Sequence, residues 1–371
     1  MGLNHVADVP AAAGITDQIL APDANNLTLV RLVLASCVIW THCYWAVTGV
    51  EGQDQFVAWL GKPLSFLAVN GFFFLSGFLI CRSALLGNNL GSFIIMRLAR
   101  IWPGLCVCLL ATVVAFALLG GGSSGFGTVL QSPATWRFLA RNLALVGGAY
   151  ALPMPGGDGQ LVNVNGSLWT IAWEIRCYMG MALLFMVPQR WRPMVATIGF
   201  LAVLGACAAW AAHDMATNRL GIKPAGLWFY VDTGLRLAGC FVLGCLAYRF
   251  RQHVRLSMVG MVAAWAVALV AYAVSDFWPA ASWALCYSIL CVAFCPWPGA
   301  GRLRALPDYS YGIYIYAFPV MVLLHLWQPG MGHAMLASAN LLGTVILAGL
   351  SWHMVEKPAL TLARRHFGRA R

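Results

Sequence analysis

Two basic residues stand inside the first long apolar stretch of the chain, Leu27–Val47. Arg31 and His42 are eleven positions apart, and at about 100° per residue this spacing puts both side chains on one face of a helix. The rise between them is roughly 16 Å, about half of a bilayer hydrocarbon core. An imidazole near the midplane is suited to general-base chemistry, and ionisable groups at that depth usually mark a pathway or reaction site. The alternatives are a snorkelling anchor for Arg31 and a structural interhelical hydrogen bond for His42.

An arginine followed by ten residues and a histidine, in a first transmembrane helix, resembles the signature of the acyltransferase-3 family. Members of this family are membrane enzymes that pass acyl groups, usually acetyl, from acyl-CoA to sugars and other acceptors. Three further segments are similar to the family pattern: VNGFFFLSGFLI at 69–80, SFIIMRLARIWPG at 92–104 and NGSLWTIAWEIRCYMG at 165–180. The resemblance covers about residues 25–360, which is nearly the whole chain.

The segments at 69–80 and 92–104 carry polar groups that can face a cavity. Asn70 and Ser76 interrupt an aromatic run, and we predict that they bind substrate. The two glycines beside them predict close helix packing. Arg97 and Arg100 are spaced i, i+3 on one helical face, where two guanidiniums can grip phosphates in bidentate fashion, as CoA requires. Ordinary anchoring by positive charge at a membrane surface is the alternative, and the family resemblance favours the nucleotide.

A carboxylate follows in the fourth predicted helix. Glu174 lies about two turns inside that helix, and we predict that it reaches the depth of His42 and orients the imidazole or binds acceptor hydroxyls. Trp169 and Tyr178 are predicted to bind substrate beside it. The alternative is a structural ion pair between Glu174 and Arg236 of the sixth predicted helix.

Two segments near the C terminus also resemble the family. The first is DYSYGIYIYAFPVM at 308–321, whose tyrosines can equally form an aromatic belt at the membrane interface. Many relatives carry a histidine at the position of Ala317, so a role of that histidine does not transfer to this chain. The second contains Glu356, which we expect to pair with Arg31, Arg97 or Arg100.

Composition defines the protein class that must position these groups. The 371 residues are 61% hydrophobic and 9% charged, with a mean hydropathy of +0.75, as is typical of an all-α polytopic membrane protein. We predict a short cytoplasmic tail at 1–26 without a cleavable signal, a transmembrane domain at 27–358 and a basic cytoplasmic tail at 359–371. Apolar runs predict about ten helices, at 27–47, 64–86, 101–119, 167–187, 193–212, 230–249, 256–274, 280–297, 309–326 and 335–355.

Charge orients these helices. The loops on the side of the termini hold fifteen Lys and Arg residues against five on the opposite side, which predicts cytoplasmic termini in a bacterial inner membrane. The net charge of +11 is explained by this asymmetry, and we expect no nucleic-acid partner. The twelve cysteines lack metal-ligand spacing, so we expect no metal site. The long segment 120–166 faces outward, with flexible glycine-rich stretches at 120–127 and 153–160 and a possible interfacial helix at 136–146.

The resemblance implies a membrane O-acyltransferase that uses acyl-CoA, most commonly acetyl-CoA, and a carbohydrate or glycolipid acceptor, with no permanently bound cofactor. In this hypothesis Arg31, Arg97 and Arg100 bind CoA, and His42 is the general base supported by Glu174. A histidine-bound or other covalent acyl intermediate stays open. The rival hypotheses are a transporter or flippase with an Arg/His/Glu-lined midplane path, and a noncatalytic membrane scaffold or sensor.

Overall fold

The computed structural model describes residues 15–21, 24–87, 89–119, 123–154, 160–219, 226–275, 279–295, 304 and 306–367. It is an all-α polytopic membrane protein, and within these residues eight helical segments are long and apolar enough to cross a bilayer. The helices are α1 Leu27–Thr48, α2 Leu64–Leu86, α3 Leu90–Leu119, α4 Ser123–Gln131, α5 Pro133–Leu143, α6 Trp169–Ala182, α7 Arg192–Arg219, α8 Leu227–Arg249, α9 Met258–Ser275, α10 Pro279–Phe294, α11 Ser310–Trp327, α12 His333–Ser351 and α13 Lys357–Phe367.

Each of the ten predicted spans overlaps one of these helices, but two of the helices are shorter than a full span. α6 has 14 residues because the chain tightens into 3₁₀ turns at Gly166–Leu168 and Leu183–Met186, and α10 has 16. Short 3₁₀ turns at helix ends are common because they satisfy terminal backbone groups. The eight long segments and these two shorter helices therefore account for the apolar pattern.

Two prolines lie inside helical segments that extend beyond the predicted spans. α3 begins at Leu90 rather than near 101, so Pro103 lies within the helix. Membrane helices tolerate proline because neighbouring groups satisfy the freed backbone carbonyl. Pro358 does not end the last helix either, since α12 continues through a π-helical turn, Trp352–Glu356, into α13. Pro358 is the second residue of α13, where its missing N–H costs little.

The core of the bundle is the crossing of α2 and α8, the most extensive helix contact in the described chain. A Cβ added to Gly77 of α2 would lie 1.9 Å from the carbonyl oxygen of Phe241, and one added to Gly244 of α8 would lie 1.9 Å from that of Phe74. Both backbones approach so closely because neither glycine carries a side chain. α1 packs beside this pair and also contacts α10, α11 and α12, so it is central to the bundle.

Part of the predicted N-terminal tail is ordered against the bundle. Ile15 is buried, and its N–H donates to the carbonyl of Arg251 at 2.9 Å. The Arg251 guanidinium in turn lies 3.0 Å from the carboxylate of Asp17. Residues 15–21 therefore pack on the helices rather than forming a free tail, while the predicted tail at 1–14 and 22–23 lies outside the described residues.

The segment between α3 and α6 is built from short elements. α4 takes the place of the flexible stretch predicted up to 127, and residues 120–122 and 155–159 lie outside the described residues. α5 corresponds to the predicted interfacial helix; the hydroxyl of Ser132 accepts from the N–H of Ala134 at 3.3 Å to cap it. A hairpin of β1, Ala151–Pro153, and β2, Leu161–Asn163, follows, with Leu152 opposite Val162.

Candidate active site

Three adjacent cavities lie among the helices that carry the predicted site residues. We name two sides of the bundle: the arginine end holds Arg31, Arg97 and Arg100, and the loop end holds the β1–β2 hairpin. The arginine cavity, about 160 Å³, is lined by these three arginines together with Ser76, Glu174 and Tyr178. The structure therefore brings together six side chains that four different helices contribute.

Asp308, just before α11, joins two of the arginines. Nη1 of Arg31 and Nη2 of Arg100 donate to the same carboxylate oxygen at 2.6 and 2.7 Å, and the Ser310 hydroxyl donates to the other oxygen at 2.5 Å. Burial alone would raise the pKa of Asp308, but Arg31 and Arg100 hold it well below its ordinary value. Asp308 is thus a fixed anion. Sequence reasoning missed it, because nothing local distinguishes it from a helix-flanking aspartate.

Glu356 has one of the arginine contacts that were predicted for it. Its carboxylate lies 3.7 Å from Arg100, and the Ser351 hydroxyl donates to its other oxygen at 3.0 Å. The π-helical turn before α13 carries Glu356 into this buried position. Arg100 therefore faces two carboxylates.

Arg97 differs from the other two arginines. In the described part of the chain it forms no ion pair, and its buried Nε has no hydrogen-bond partner there. Its guanidinium lies over the ring of Phe93, 5.9 Å from the centroid, and lines the arginine cavity. Glu174 attracts Arg97 only from beyond ion-pair distance. A half-buried cation without a directly paired carboxylate is costly in a membrane bundle, so this is the guanidinium most available to an anionic ligand.

Glu174 does not reach His42, contrary to the prediction. Its Oε1 accepts from the hydroxyl of Ser76 at 3.1 Å and also from the hydroxyl of Tyr178. Ser76 and Tyr178 are themselves 3.2 Å apart. Glu174 lines the arginine cavity, whereas His42 lines the other two cavities. The predicted support of His42 by Glu174 is therefore absent from this geometry.

The helical period of α6 explains this separation. Thr170, Glu174 and Tyr178 recur every four residues and face the arginine cavity. Trp169 and Trp173 lie on a second face, with Arg176 one turn further, and line a cavity at the loop end. Two faces of one helix thus serve two compartments. The spacing of Glu174 and Trp169, five residues apart, already separates them by more than a quarter turn.

His42 lies in the middle cavity, the histidine cavity, of about 190 Å³. Its imidazole packs edge-on against Phe318 and Trp45, with ring centroids 5.2 and 6.4 Å away. Its buried Nδ1 bonds to none of the described residues. Aromatic packing rather than a carboxylate holds the ring, which leaves a ring nitrogen for a ligand.

Arg236 lines the histidine cavity with His42. It donates to the amide oxygen of Asn70 and lies over the ring of Phe66, 4.0 Å from the centroid, so it is not the partner of Glu174. The Asn70 amide nitrogen donates to the Ser282 hydroxyl at 2.9 Å. Asn70 is fully buried and does not line the three cavities, so the predicted substrate contact is replaced by a role in holding Arg236.

The third cavity, the aromatic cavity, opens at the loop end and has a volume of about 390 Å³. It shares His42, Trp45, Glu51 and Trp169 with the histidine cavity. The remaining wall is rich in aromatic rings and includes Arg176, whose guanidinium lies 4.4 Å from the centre of the Trp173 ring. Its lining outside the shared residues includes Tyr150, Asn163, Trp173, Arg176, Tyr230 and Phe318.

Two residues of this cavity add to the predicted set. Glu51, an exposed carboxylate just after α1, lies at the boundary with His42 and was missed because it follows the predicted helix. The hydroxyl of Tyr150 accepts from the N–H of Gly148 at 2.6 Å, and burial raises the pKa of this tyrosine. Tyr150 is therefore a neutral hydrogen-bonding group at neutral pH.

Tyr314 separates the arginine cavity from the histidine cavity and lines both, as does Val69. Its hydroxyl lies 2.7 Å from that of Thr170 and donates to the Ser167 carbonyl at 3.2 Å, while its ring meets the edge of Phe72 at 5.7 Å. The three cavities thus form a row from the arginine end to the loop end, with His42 in the middle compartment.

A proline interrupts α11 one turn beyond Tyr314. Pro319 has no N–H to bond the carbonyl of Ile315 within the helix. The amide of Asn165 donates to this carbonyl at 2.9 Å, and the thiol of Cys108 also donates to it, at 3.2 Å. Neighbouring elements therefore satisfy the backbone group that Pro319 leaves open.

Comparison with known proteins assigns the family. The family model described as an acyltransferase domain matches residues 25–353. An O-acetyl transferase of Shigella phage Sf6 is 28% identical over 350 residues, covering 91% of this chain and 96% of the relative. Nodulation protein 10 of Rhizobium leguminosarum bv. viciae is 28% identical over 363 residues, covering 91% and 94%. No solved structure matches the chain. The chain therefore belongs to the acyltransferase-3 family and is a membrane-embedded acyltransferase.

Proposed function

We propose that the protein transfers an acetyl group from acetyl-CoA in the cytoplasm to a carbohydrate hydroxyl on the opposite side of the bacterial inner membrane. The observation that carries this proposal is the row of cavities, with His42 between an arginine-lined compartment and an aromatic one. The acceptor is a carbohydrate or a glycolipid. The excess of basic residues in loops on the side of the termini supports cytoplasmic termini and a cytoplasmic arginine end.

The arginine cavity is proposed to bind CoA through its phosphates. Arg97 offers a cation without an ion-pair partner in the described chain, so it takes a phosphate at no cost to an existing pair. Arg31 and Arg100 exchange part of their contact with Asp308 for phosphate oxygens. Ser76, Glu174 and Tyr178 provide hydrogen-bonding groups for the amides of the pantetheine arm.

His42 is the proposed general base. The extended pantetheine arm passes Tyr314 and presents the thioester in the histidine cavity. There the imidazole takes the proton of the acceptor hydroxyl as its oxygen attacks the thioester carbonyl, and the CoA thiolate leaves. His42 returns that proton to the departing sulfur. The unpartnered Nδ1 and the water-poor aromatic surroundings favour the neutral imidazole, which is the protonation state that a general base needs.

The aromatic cavity is the proposed acceptor site. Its tyrosine and tryptophan rings give flat apolar faces for a sugar ring, and Tyr150, Asn163 and Glu51 offer hydrogen bonds to hydroxyl groups. Trp169 lines both this cavity and the histidine cavity, so it is placed to orient the acceptor beside His42. One phage relative carries the name O-acetyl transferase, which supports acetyl as the transferred group.

Sealed, oriented vesicles test the proposal. Radiolabelled acetyl-CoA supplied only at the face that holds the termini should label a carbohydrate acceptor confined to the other face. Movement of a solute without acyl transfer would favour the transporter hypothesis. Product formed only when both substrates share the cytoplasmic face would refute the transfer across the membrane while leaving the reaction type intact.

The variant His42→Ala tests the base in the same vesicles. We expect it to insert and bind CoA like the wild type but to lose transfer, because general-base catalysis contributes about 10²- to 10⁴-fold. His353→Ala is the matched control, since this exposed histidine bonds Tyr309 and lines none of the three cavities. Acyl transfer at the wild-type rate by the His42→Ala variant would show that His42 is not the general base.

A further inference from the structure

We propose that Arg236 and Ser167 bind the carbonyl oxygen of the thioester and stabilise the oxyanion that forms during transfer, which makes both of them catalytic residues. The inference rests on the proposed acyl transfer at His42. Both residues line the histidine cavity, yet they come from different elements: Arg236 from the middle of α8 and Ser167 from the 3₁₀ turn before α6. They approach His42, on α1, from other walls of the compartment.

The two side chains still have hydrogen-bond donors to offer. Ser167 is 1% exposed, and in the described chain its buried hydroxyl has no hydrogen-bond partner. Arg236 donates to Asn70, but a guanidinium carries five N–H donors, so this bond leaves others for a ligand. The Asn70–Ser282 contact behind it fixes the orientation of the guanidinium. A buried unpartnered hydroxyl and an oriented cation that line the same cavity form a preorganised site for an oxygen that gains negative charge.

Arg236 forms no salt bridge with a carboxylate among the described residues. Asp232, one turn earlier on α8, accepts from Nε1 of Trp210 at 3.4 Å and attracts Arg236 only at longer range. The Phe66 ring gives a weaker cation–π contact. A cation kept without a directly paired carboxylate in a membrane bundle is costly, and the cost is offset when an anion forms in contact with it. The transition state of acyl transfer supplies that anion.

The proposed step balances as follows. The acceptor oxygen forms a bond to the thioester carbonyl carbon while His42 takes the hydroxyl proton. The π electrons of the carbonyl move to its oxygen, which accepts hydrogen bonds from Arg236 and Ser167. When the carbonyl re-forms, the carbon–sulfur bond breaks, and the sulfur leaves with the bonding pair and receives the proton from the imidazolium. The products are an acetyl ester and the CoA thiol.

Two variants test this assignment, with purified full-length protein in nanodiscs, radiolabelled acetyl-CoA as donor and octyl glucoside or water as acceptor. Arg236→Gln keeps a donor for Asn70 and removes the charge, and Ser167→Ala breaks no hydrogen bond of that hydroxyl within the described chain. We expect kcat to fall about 100-fold for Arg236→Gln and about tenfold for Ser167→Ala, since a neutral donor contributes roughly half as much as a charged one. The KM for acetyl-CoA should stay within threefold.

Arg249→Gln, at the C-terminal end of α8 and away from the three cavities, is the matched control and should retain wild-type turnover. A kcat within threefold of wild type in Arg236→Gln would overturn the inference. Loss of CoA binding in Arg236→Gln would also overturn the inference, because it would show that Arg236 maintains the structure of the protein rather than the oxyanion site. Turnover by the wild-type chain separates the two proposals: an inactive wild type refutes the proposed function, and an active Arg236→Gln variant refutes only the oxyanion site.

Discussion

Arg97→Gln is the substitution that most directly probes the donor site. Arg97 lines the arginine cavity without an ion pair in the described chain, whereas Arg31 and Arg100 share Asp308 at 2.6 and 2.7 Å. Removing Arg97 therefore breaks no protein ion pair that the structure contains. Removing Arg100 leaves both Asp308 and Glu356 without a cation they contact now. We therefore expect Arg97→Gln to weaken CoA binding without lowering the stability of the protein, and Arg100→Gln mainly to lower its stability.

The magnitude follows from these contacts. Losing a mostly enclosed charged contact to a phosphate costs about 2–3 kcal/mol, or roughly 30- to 150-fold in the Kd for CoA. In Arg100→Gln the lost phosphate contact is partly offset, because the wild-type arginine must first loosen its hold on Asp308. We expect a smaller rise in Kd, about fivefold, together with destabilisation of about 3 kcal/mol, because the carboxylate of Glu356 loses its ion pair and Asp308 keeps only Arg31. Arg97→Gln should melt at or above the wild-type temperature, since it removes a half-buried unpaired charge.

Calorimetric titration of nanodisc-embedded protein with CoA and with dephospho-CoA measures the affinities, and thermal unfolding in detergent measures stability. Arg190→Gln is the control, because this arginine contacts Trp191 and lines none of the three cavities. A Kd within threefold of wild type in Arg97→Gln would refute its assignment to the donor. A larger loss of affinity in Arg100→Gln than in Arg97→Gln would refute the argument from Asp308.

Two further predictions concern stability. The arginines depress the pKa of Asp308, so the stability that its carboxylate contributes is complete above the ordinary aspartate pKa of about 4 and is lost as pH falls below that value. The melting temperature of the wild type should therefore drop more steeply between pH 4 and 2 than that of Asp308→Asn. Melting temperatures that fall in parallel for the two proteins would contradict this. Gly77→Ala should lower stability by about 2 kcal/mol or more, because its Cβ would meet the Phe241 carbonyl at 1.9 Å, while Gly199→Ala, with open space, should be neutral in the same thermal assay.

The sequence predicted the helices well because apolar length is a local property. Bounds such as Leu27–Thr48 and Leu64–Leu86 agree with the predicted spans to within a residue. The third span was predicted to start at 101 and the last to end at 355, whereas α3 starts at Leu90 and the last helical path continues past Pro358. Proline does not end a helix where neighbouring groups satisfy the backbone groups that it frees.

The candidate site was harder to predict because it depends on which faces of the helices meet. Arg31, Arg97 and Arg100 were expected to act together, and the structure places them in one cavity. Asp308, which pairs two of them from a distance of more than 200 positions along the chain, left no local signal. The structure does not show the expected contact between Glu174 and His42. The sequence allowed an estimate of the depth of each residue in the membrane, but it did not show which face of α6 is turned toward α1.

The glycine crossing of α2 and α8 has a consequence for how substrates move through the protein. Backbones in direct contact at Gly77 and Gly244 cannot slide or rotate without collision, so α2 and α8 act as one rigid frame that keeps Ser76 and Arg236 at constant spacing. Tyr314 of α11, which lines both the arginine cavity and the histidine cavity, lies outside this frame and about one turn before the break at Pro319. In the proposed acyl transfer, the thioester then advances through a swing of this α11 segment, while Ser76 and Arg236 keep their positions.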